Sequence, residues 1–151
     1  MLKIERLEVK EKSGRCLLKD ISMEIPAGQI IGLTGQSGAG KTTLLRSILG
    51  MLHTNCSISA GTILLDDVDV SMLSRKAHRE LCGKRLGFIP QNPMTAFDSR
   101  LKIGYQMEET FINRLHLNRD DAKALAKKYL IAVNLKDTDR VLQAYPFELS
   151  R

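Results

Sequence analysis

The residues of this chain with the clearest chemical signature lie in one glycine-rich segment that ends in a lysine and two threonines. Residues 35–42 match the pattern GxxxxGK[ST] in full. Glycines let the backbone curl so that successive N–H groups point towards phosphate oxygens. In such loops the lysine ammonium binds the β- and γ-phosphates of a nucleotide, and the next hydroxyl ligates Mg²⁺. The candidate nucleotide-binding residues are Gly35, Gln36, Ser37, Gly38, Ala39, Gly40, Lys41, Thr42 and Thr43, with Thr42 also a candidate Mg²⁺ ligand.

An apolar run and a helical pattern flank this loop. Residues 29–33 read Gln-Ile-Ile-Gly-Leu, which predicts a strand buried on both faces of a complete parallel sheet. Residues 42–49 have apolar side chains at helical spacing, and Gly50 ends the pattern. The N-terminus of this helix adds a partial positive charge that favours phosphate. Strand, loop and helix in this order are the context that the motif requires, so we predict a nucleotide-binding loop.

Apolar alternation predicts further strands, and a repeat of three to four residues predicts helices. The predicted strands cover residues 2–9, 17–25, 61–66 and 85–89. The predicted helices cover residues 74–82 and 103–116, and a third follows Asn118. Asn118 is the expected N-cap of that helix, because two aspartates occupy the first turn. The apolar face of the third helix comprises Ala122, Leu125, Ala126, Tyr129, Leu130 and Val133.

Composition and charge describe an ordinary globular protein, with 43% hydrophobic and 26% charged residues. No apolar run is long enough to span a bilayer. The net charge of +6 comes from lysines and arginines that are scattered along the chain without interleaved aromatic residues. This pattern favours a solvated surface over a nucleic-acid interface. The three cysteines form no CxxC pair, which predicts reduced thiols.

The histidines do not indicate a metal site. His53 and Cys56 are two soft ligands with no further His or Cys close in sequence, so we interpret the segment that contains them as a loop. His78 and His116 have polar or helical neighbours, and we predict that both lie on the surface.

A second motif follows the predicted strand at residues 85–89. The segment Gly87-Phe-Ile-Pro-Gln-Asn-Pro93 resembles the Q-loop of ATP-binding cassette (ABC) ATPases, in which a glutamine follows an apolar strand. In that family the glutamine contacts Mg²⁺ or the attacking water, and its loop contacts the membrane partner. The resemblance therefore implies a catalytic and Mg²⁺-contacting role for Gln91. The alternative is a polar residue in a turn between two prolines.

The last residues, Tyr-Pro-Phe-Glu-Leu-Ser-Arg, resemble the approach to the family's LSGGQ signature, with Leu149 and Ser150 as its first two residues and Arg151 where glycine is expected. The resemblance thus covers essentially the whole chain. It implies an α/β P-loop NTPase fold with an antiparallel β subdomain, a partial helical subdomain and an incomplete core sheet. Residues 1–151 are then the N-terminal part of one ABC ATPase domain, with the nucleotide-binding core at residues 1–90 and the Q-loop and partial helical subdomain at residues 91–151.

Two segments indicate a branch of the family. Residues 91–98 and 145–148 resemble the peptide and nickel importers. This resemblance implies an ATP-binding subunit that couples hydrolysis of ATP, with Mg²⁺, to uptake of nickel or peptides. The implied partners are membrane permease subunits and a second ATPase subunit at the cytoplasmic face of the cell membrane, with no direct contact with nucleic acid or with the solute. The alternatives are a nucleic-acid-associated ABC-type ATPase, which only the net charge supports, and a non-catalytic nucleotide-binding fragment.

The chain departs from the family pattern in how it would hold adenine. The family stacks the base on an aromatic residue of an early strand, but no Phe, Tyr or Trp precedes Phe88 here. The expected substitute is an aliphatic contact, with Val9 and Leu18 as candidates, and the alternative is that the base is held poorly. Because an aromatic stack contributes about 1 kcal/mol, we expect weak discrimination among bases.

The family's remaining hydrolytic residues, the Walker B acids and a switch histidine, follow the signature. Residues 63–67 mimic a Walker B strand but precede the signature, so we interpret Asp66 and Asp67 as a turn. We therefore expect residues 1–151 alone to lack ATP turnover and a stable monomeric fold. The strand at residues 29–33 would lie at an exposed edge of the core sheet.

Overall fold

The computed structural model of the chain describes residues 1–82 and 84–149. They form two compact units, which divide between Gly87 and Phe88 and are here called the sheet unit and the helical unit. The elements of the sheet unit are β1 (Leu2–Glu11), β2 (Cys16–Ile25), α1 (Lys41–Ile48), β3 (Cys56–Leu65), β4 (Val68–Asp69) and α2 (Arg75–Leu81). The helices of the helical unit are α3 (Ile103–Leu115), α4 (Arg119–Ala132) and α5 (Thr138–Gln143), with 3-10 turns at Pro93–Ala96 and Pro146–Glu148.

The strands of the sheet unit form an antiparallel sheet in the order β2-β1-β3-β4. In the central strand β1, Ile4 pairs with Met23 of β2 on one side and with Ile63 of β3 on the other. Asp66 and Asp67 are the two residues between β3 and β4, which confirms their interpretation as a turn. This sheet is the antiparallel β subdomain that the sequence predicts.

Alternation along β1 places one face of this sheet in the core. Ile4, Leu7 and Val9 are at most 1% exposed, whereas Glu5 and Arg6 between them are exposed. Ile4 and Leu7 are three residues apart, which would normally place them on opposite faces. The pairing register shifts between them, and Arg6 has a positive φ of 46°, so a bulge returns Leu7 to the buried face. The buried cluster is completed by Leu18, Leu44, Ile63 and Val70.

Residues 29–33 are exposed, as the sequence analysis expects, but they do not form the predicted strand. Ile30 is 99% exposed, and Ile31 and Leu33 are 46% and 43% exposed, as expected for an uncovered edge. The predicted strand itself is wrong: no strand is assigned between residues 26 and 40. A strand needs ladder hydrogen bonds from a neighbour, and none of the described strands pairs with this segment.

The predicted strand at residues 85–89 is wrong for the same reason. Leu86 forms an isolated bridge with Cys82, but residues 87–90 have no assigned secondary structure. Phe88 and Ile89 are 52% and 87% exposed. An apolar run specifies a buried strand only when neighbouring strands are present to pair with it.

Helix α2 confirms the prediction of a helix near residues 74–82, and Ser74 caps it by accepting from the Ala77 N–H. The prediction that His78 lies on the surface is wrong, since this residue is only 7% exposed. Ala77, His78 and Leu81 share the inward side of this short helix, so the ring is turned into the sheet unit. His116 is exposed, as predicted.

The helical unit contains the other predicted helices. The Asn118 side chain caps α4 by accepting from the Asp121 N–H at 2.9 Å, as predicted. The predicted apolar face of α4 is buried in part, because Tyr129 and Val133 at its edges are 54% and 66% exposed. The buried cluster comprises Ile103, Ala126, Leu130, Val141 and Leu142. Of the helices that the structure describes, none combines the length and the apolar character that crossing a bilayer demands.

Aromatic residues are confined to one part of the chain. The sheet unit contains no Phe, Tyr or Trp, and all three tyrosines lie in the helical unit. There the rings of Phe111 and Tyr129 stack with centroids 5.8 Å apart, and those of Tyr145 and Phe147 stack at the same distance.

Candidate nucleotide-binding site

The glycine-rich loop ends at an uncapped helix N-terminus. Gly40 is the N-cap residue of α1, and no side chain caps this helix. In α2, α4 and α5 a serine, asparagine or aspartate side chain accepts from a first-turn N–H instead. Helix α1 also has no acidic residue in its first turn. Its first N–H groups and the positive end of its dipole are therefore free to interact with an anion.

Lys41 folds back over the loop that precedes it. Its Nζ lies 2.6 Å from the carbonyl oxygen of Gly35 and 2.7 Å from that of Gln36. An ammonium group has three donors, so these two contacts leave one for another acceptor. Residues 35–39 are exposed, which makes the loop accessible from solvent. The arrangement places a cation and a helix N-terminus at one end of an open loop, as phosphate binding requires.

The sheet fixes the position of the loop through Gly40. This residue has a φ of 91°, which favours glycine, and a Cβ atom here would lie 2.6 Å from Cδ2 of Leu18 and 3.3 Å from the carbonyl oxygen of Leu17. Leu44, one turn further on, is 5% exposed in the buried cluster. The loop is thus held between β2 and the first turn of α1.

The side chains present at this site suit Mg²⁺ only as a nucleotide complex. Thr42 is exposed at the first turn of α1, where its hydroxyl is the candidate ligand. Among the described residues no group of three His, Cys, Asp or Glu side chains could hold a metal ion. Mg²⁺ is commonly held by one or two protein groups together with phosphate oxygens and water, and Thr42 fits that role.

Gln91, the candidate Q-loop glutamine, is exposed and belongs to the helical unit. The residues that follow it fold into the 3-10 turn at Pro93–Ala96, in which the Thr95 hydroxyl donates to the carbonyl oxygen of Asn92 at 2.7 Å. The structure thus brings together the residues of the glycine-rich loop in one unit and places Gln91 in the other.

Gln106 on α3 holds the far end of this segment, a role that sequence reasoning missed. Its Oε1 accepts from the Asp98 N–H at 2.9 Å, and its Nε2 donates to the carbonyl oxygens of Asp98 and Leu101, both at 3.0 Å. The available signal was an amide side chain in the first turn of a predicted helix, where it can both donate to and accept from the preceding loop.

Asp98 and Arg100 form a pair in the same loop. Arg100 donates to the Asp98 carboxylate from its Nε and from its backbone N–H, at 3.1 and 2.9 Å. The Arg100 side chain is the main cause that lowers the pKa of Asp98 from 3.8 to about 2. Because the pKa of Asp98 in the folded state is depressed, the contact stabilises the loop at pH values above the ordinary aspartate pKa. This stabilisation is lost as the pH falls through about 2.

We expect Arg100→Ala to move the pKa of Asp98 upwards, towards its ordinary value, since the side-chain hydrogen bonds and the nearby charge are removed. The measurement is an NMR titration of the Asp98 carboxyl carbon. Arg119→Ala, which removes an exposed arginine elsewhere in the helical unit, serves as the control and should leave the midpoint unchanged. An identical midpoint in the wild type and Arg100→Ala would contradict the assigned contact.

Val9 and Leu18, the aliphatic candidates for holding adenine, do not offer an open surface to a base. Val9 is completely buried within the sheet and cannot contact a base, so the prediction that it holds adenine is wrong. Leu18 is 5% exposed and packs beside Gly40, which makes it a wall of the loop rather than an open platform.

In the signature segment, Leu149 packs against the helical cluster, while Ser150 and Arg151 lie outside the described residues.

The family follows from comparison with known proteins. Residues 18–151 match the family model described as ABC transporter. The chain belongs to the ABC transporter family. Solved structures of ABC cassettes confirm the fold: a dimeric bacterial ABC transporter cassette matches with a TM-score of 0.81 at 21% identity, over 99% of this chain and 63% of that one. The CbiO1 protein of Clostridium perfringens matches with a TM-score of 0.72 at 26% identity, over 95% and 53%.

Curated relatives are named as ATP-binding proteins of transport or import systems. The oligopeptide transport ATP-binding protein AmiE of Streptococcus pneumoniae is 34% identical over 88% of this chain and 38% of its own length. The probable D,D-dipeptide transport ATP-binding protein DdpD of Escherichia coli is 35% identical, over 88% and 41%. The metal-staphylopine import protein CntD of Staphylococcus aureus is 28% identical, over 89% and 49%. The chain thus spans less than half the length of these curated relatives.

Proposed function

We propose that this chain is the nucleotide-binding part of an ABC importer subunit that couples binding and hydrolysis of ATP to uptake of nickel or peptides across the cytoplasmic membrane. The observation that supports it most is the uncapped N-terminus of α1, which begins at Lys41, in a chain that belongs to the ABC family. The names of the relatives favour peptides or a chelated metal as the cargo.

Each residue of the loop has a distinct task in this proposal. Lys41 exchanges its contacts with the carbonyl oxygens of Gly35 and Gln36 for the β- and γ-phosphates, while the first N–H groups of α1 donate to phosphate oxygens. Thr42 orients the metal through its hydroxyl, and Gln91 is proposed to contact the same region. Bound Mg²⁺ neutralises charge on the phosphates.

The proposed partners follow from the same relatives. ATP-binding proteins of ABC importers work beside permease subunits, and the matched bacterial ABC transporter cassette was solved as a dimer. We therefore propose a place at the cytoplasmic face of the membrane, next to permease subunits and a second ATPase subunit. The solute passes through the permease and does not contact this chain, and no nucleic acid takes part.

We expect Mg-ATP to bind the protein, adenosine without phosphate not to bind, and GTP to compete with ATP within about tenfold, or about 1.4 kcal/mol. The phosphates dominate recognition because the sheet unit contains no aromatic residue to stack on a base. Calorimetric titration with each ligand is the measurement. Absence of Mg-ATP binding would contradict the proposed function, and a thousandfold preference for ATP would reveal a base pocket.

A further inference from the structure

His78 on α2 contacts the C-terminal end of α1, opposite the end that holds the glycine-rich loop. Its Nε2 lies 3.1 Å from the carbonyl oxygen of Ile48, the last residue of α1. The ring also lies so close to Gly50 that a Cβ there would come within 2.5 Å of its Cγ. A second contact follows at Cys82, the C-cap residue of α2, whose Sγ lies 3.7 Å from the carbonyl oxygen of Leu49. Carbonyl groups at a helix C-terminus lack intrahelical partners, so these donors satisfy them.

Apart from these contacts, helix α1 is anchored mainly by apolar packing, with Leu44 in the buried cluster and Ile48 packed against it. Of its residues only Leu44 and Ser47 are buried, and the Ser47 hydroxyl is used within the helix, donating to the carbonyl oxygen of Thr43 at 2.8 Å. A cavity of about 330 Å³ adjoins its C-terminal end, and Ser47, Gly50 and His78 are among the residues that line it. The last turn of α1 therefore meets the His78 ring beside this cavity, and the contact at the Ile48 carbonyl is a polar contact that joins this turn to α2.

The short length of α1 carries this restraint to the loop. A helix of eight residues is about 12 Å long and moves as a rigid rod. Any shift of its C-terminal end therefore moves Lys41 and Thr42 at the other end. At the loop end, Gly40 lies against Leu17 and Leu18 of β2, and Leu44 packs in the buried cluster.

We propose that His78 is a positioning residue for the nucleotide site, which fixes the axial position of α1 through the Ile48 carbonyl and so sets the geometry of the loop at Lys41. His78 contacts neither the loop nor Thr42 itself. The effect on nucleotide binding rests on the proposed function, whereas the effect on the order of α1 does not.

Two variants of His78 separate the hydrogen bond from packing. His78→Leu retains the bulk without a donor, and His78→Gln retains an amide N–H that reaches the Ile48 carbonyl. Ile63→Val, a mild truncation in the buried cluster that contains Leu44, controls for a general loss of stability. One readout is hydrogen exchange at the Leu44 amide, which donates to the Gly40 carbonyl oxygen at the loop end of α1. The other is the affinity for Mg-ATP.

We expect His78→Leu to speed exchange at Leu44 and to weaken Mg-ATP binding by about fivefold each, the typical effect of one lost hydrogen bond. His78→Gln should bring both readouts to within about twofold of the wild type, and Ile63→Val should change neither.

Three outcomes would overturn the role of His78: faster exchange at Leu49 but not at Leu44 in His78→Leu, the same effects in Ile63→Val, or failure of His78→Gln to restore exchange. If His78→Leu does not fold, exchange at Leu44 in His78→Gln is compared with the wild type alone. A difference of more than about twofold would then overturn the role of His78. Lack of Mg-ATP binding by the wild type would reject the proposed function, while exchange at Leu44 would still test the positioning role.

Discussion

Lys41→Ala should weaken binding of Mg-ATP by about 10- to 150-fold, because a charge-assisted hydrogen bond to phosphate contributes about 1.5–3 kcal/mol. In the structure the Lys41 ammonium already lies over the loop, 2.6 Å from the carbonyl oxygen of Gly35. It therefore needs no large rearrangement to contact a phosphate above the uncapped N-terminus of α1. Calorimetric titration of the wild type and of the variant with Mg-ATP measures the effect.

Two further variants make this result specific to the ammonium group. Lys41→Met keeps most of the aliphatic stem, so it should lose as much affinity as the alanine variant. Lys19→Ala removes an exposed lysine from β2 in the same unit and should leave binding unchanged. It controls for net charge, because Lys19→Ala and Lys41→Met each remove one positive charge. Equal affinity in the wild type and Lys41→Met would refute the assigned role of Lys41.

A matched pair of isoleucines should give the largest contrast in stability. Ile4 is 1% exposed in the centre of the sheet, whereas Ile30 is 99% exposed in the segment before the loop. Ile4→Ala should lower the free energy of unfolding of the sheet unit by about 2–5 kcal/mol, from lost burial and the cavity left behind. Ile30→Ala should change it by less than about 0.5 kcal/mol, as at other exposed positions.

Chemical denaturation of the two variants beside the wild type, followed by far-ultraviolet circular dichroism, gives both values. The two substitutions delete the same atoms, so the chemistry of the side chain cancels and only its surroundings differ. A comparable loss in both variants would mean that Ile30 is buried in solution, as in a complete parallel sheet, and would contradict the exposed segment described here.

Local sequence information accounts for what could be predicted of the fold. Asn118 caps α4 through an N–H only three residues away, and Asp66 and Asp67 join two strands that are adjacent in the chain. The glycine-rich loop is similar, because its glycines and the start of α1 lie within one short segment. In each case the residues that decide the structure are also neighbours in sequence.

The features that escaped prediction depend on partners that are distant in sequence. An apolar run such as residues 29–33 becomes a strand only where another strand supplies hydrogen bonds, and no described strand does so. His78 is buried because Gly50 leaves space for its ring, a contact that neither helix pattern contains. Val9 failed as a candidate for adenine because its side chain packs in the buried cluster together with Leu44 of α1.

The uneven distribution of aromatic residues makes the two units spectroscopically unequal. With no tryptophan in the chain and every tyrosine after Phe88, intrinsic fluorescence and near-ultraviolet absorption come from the helical unit alone. The stacked Phe111 and Tyr129 rings would report unfolding there, whereas the sheet unit with its glycine-rich loop gives no aromatic signal. A single tryptophan placed in the sheet unit, at an exposed position such as Leu45, would therefore give a signal from the candidate site against no background from its own unit.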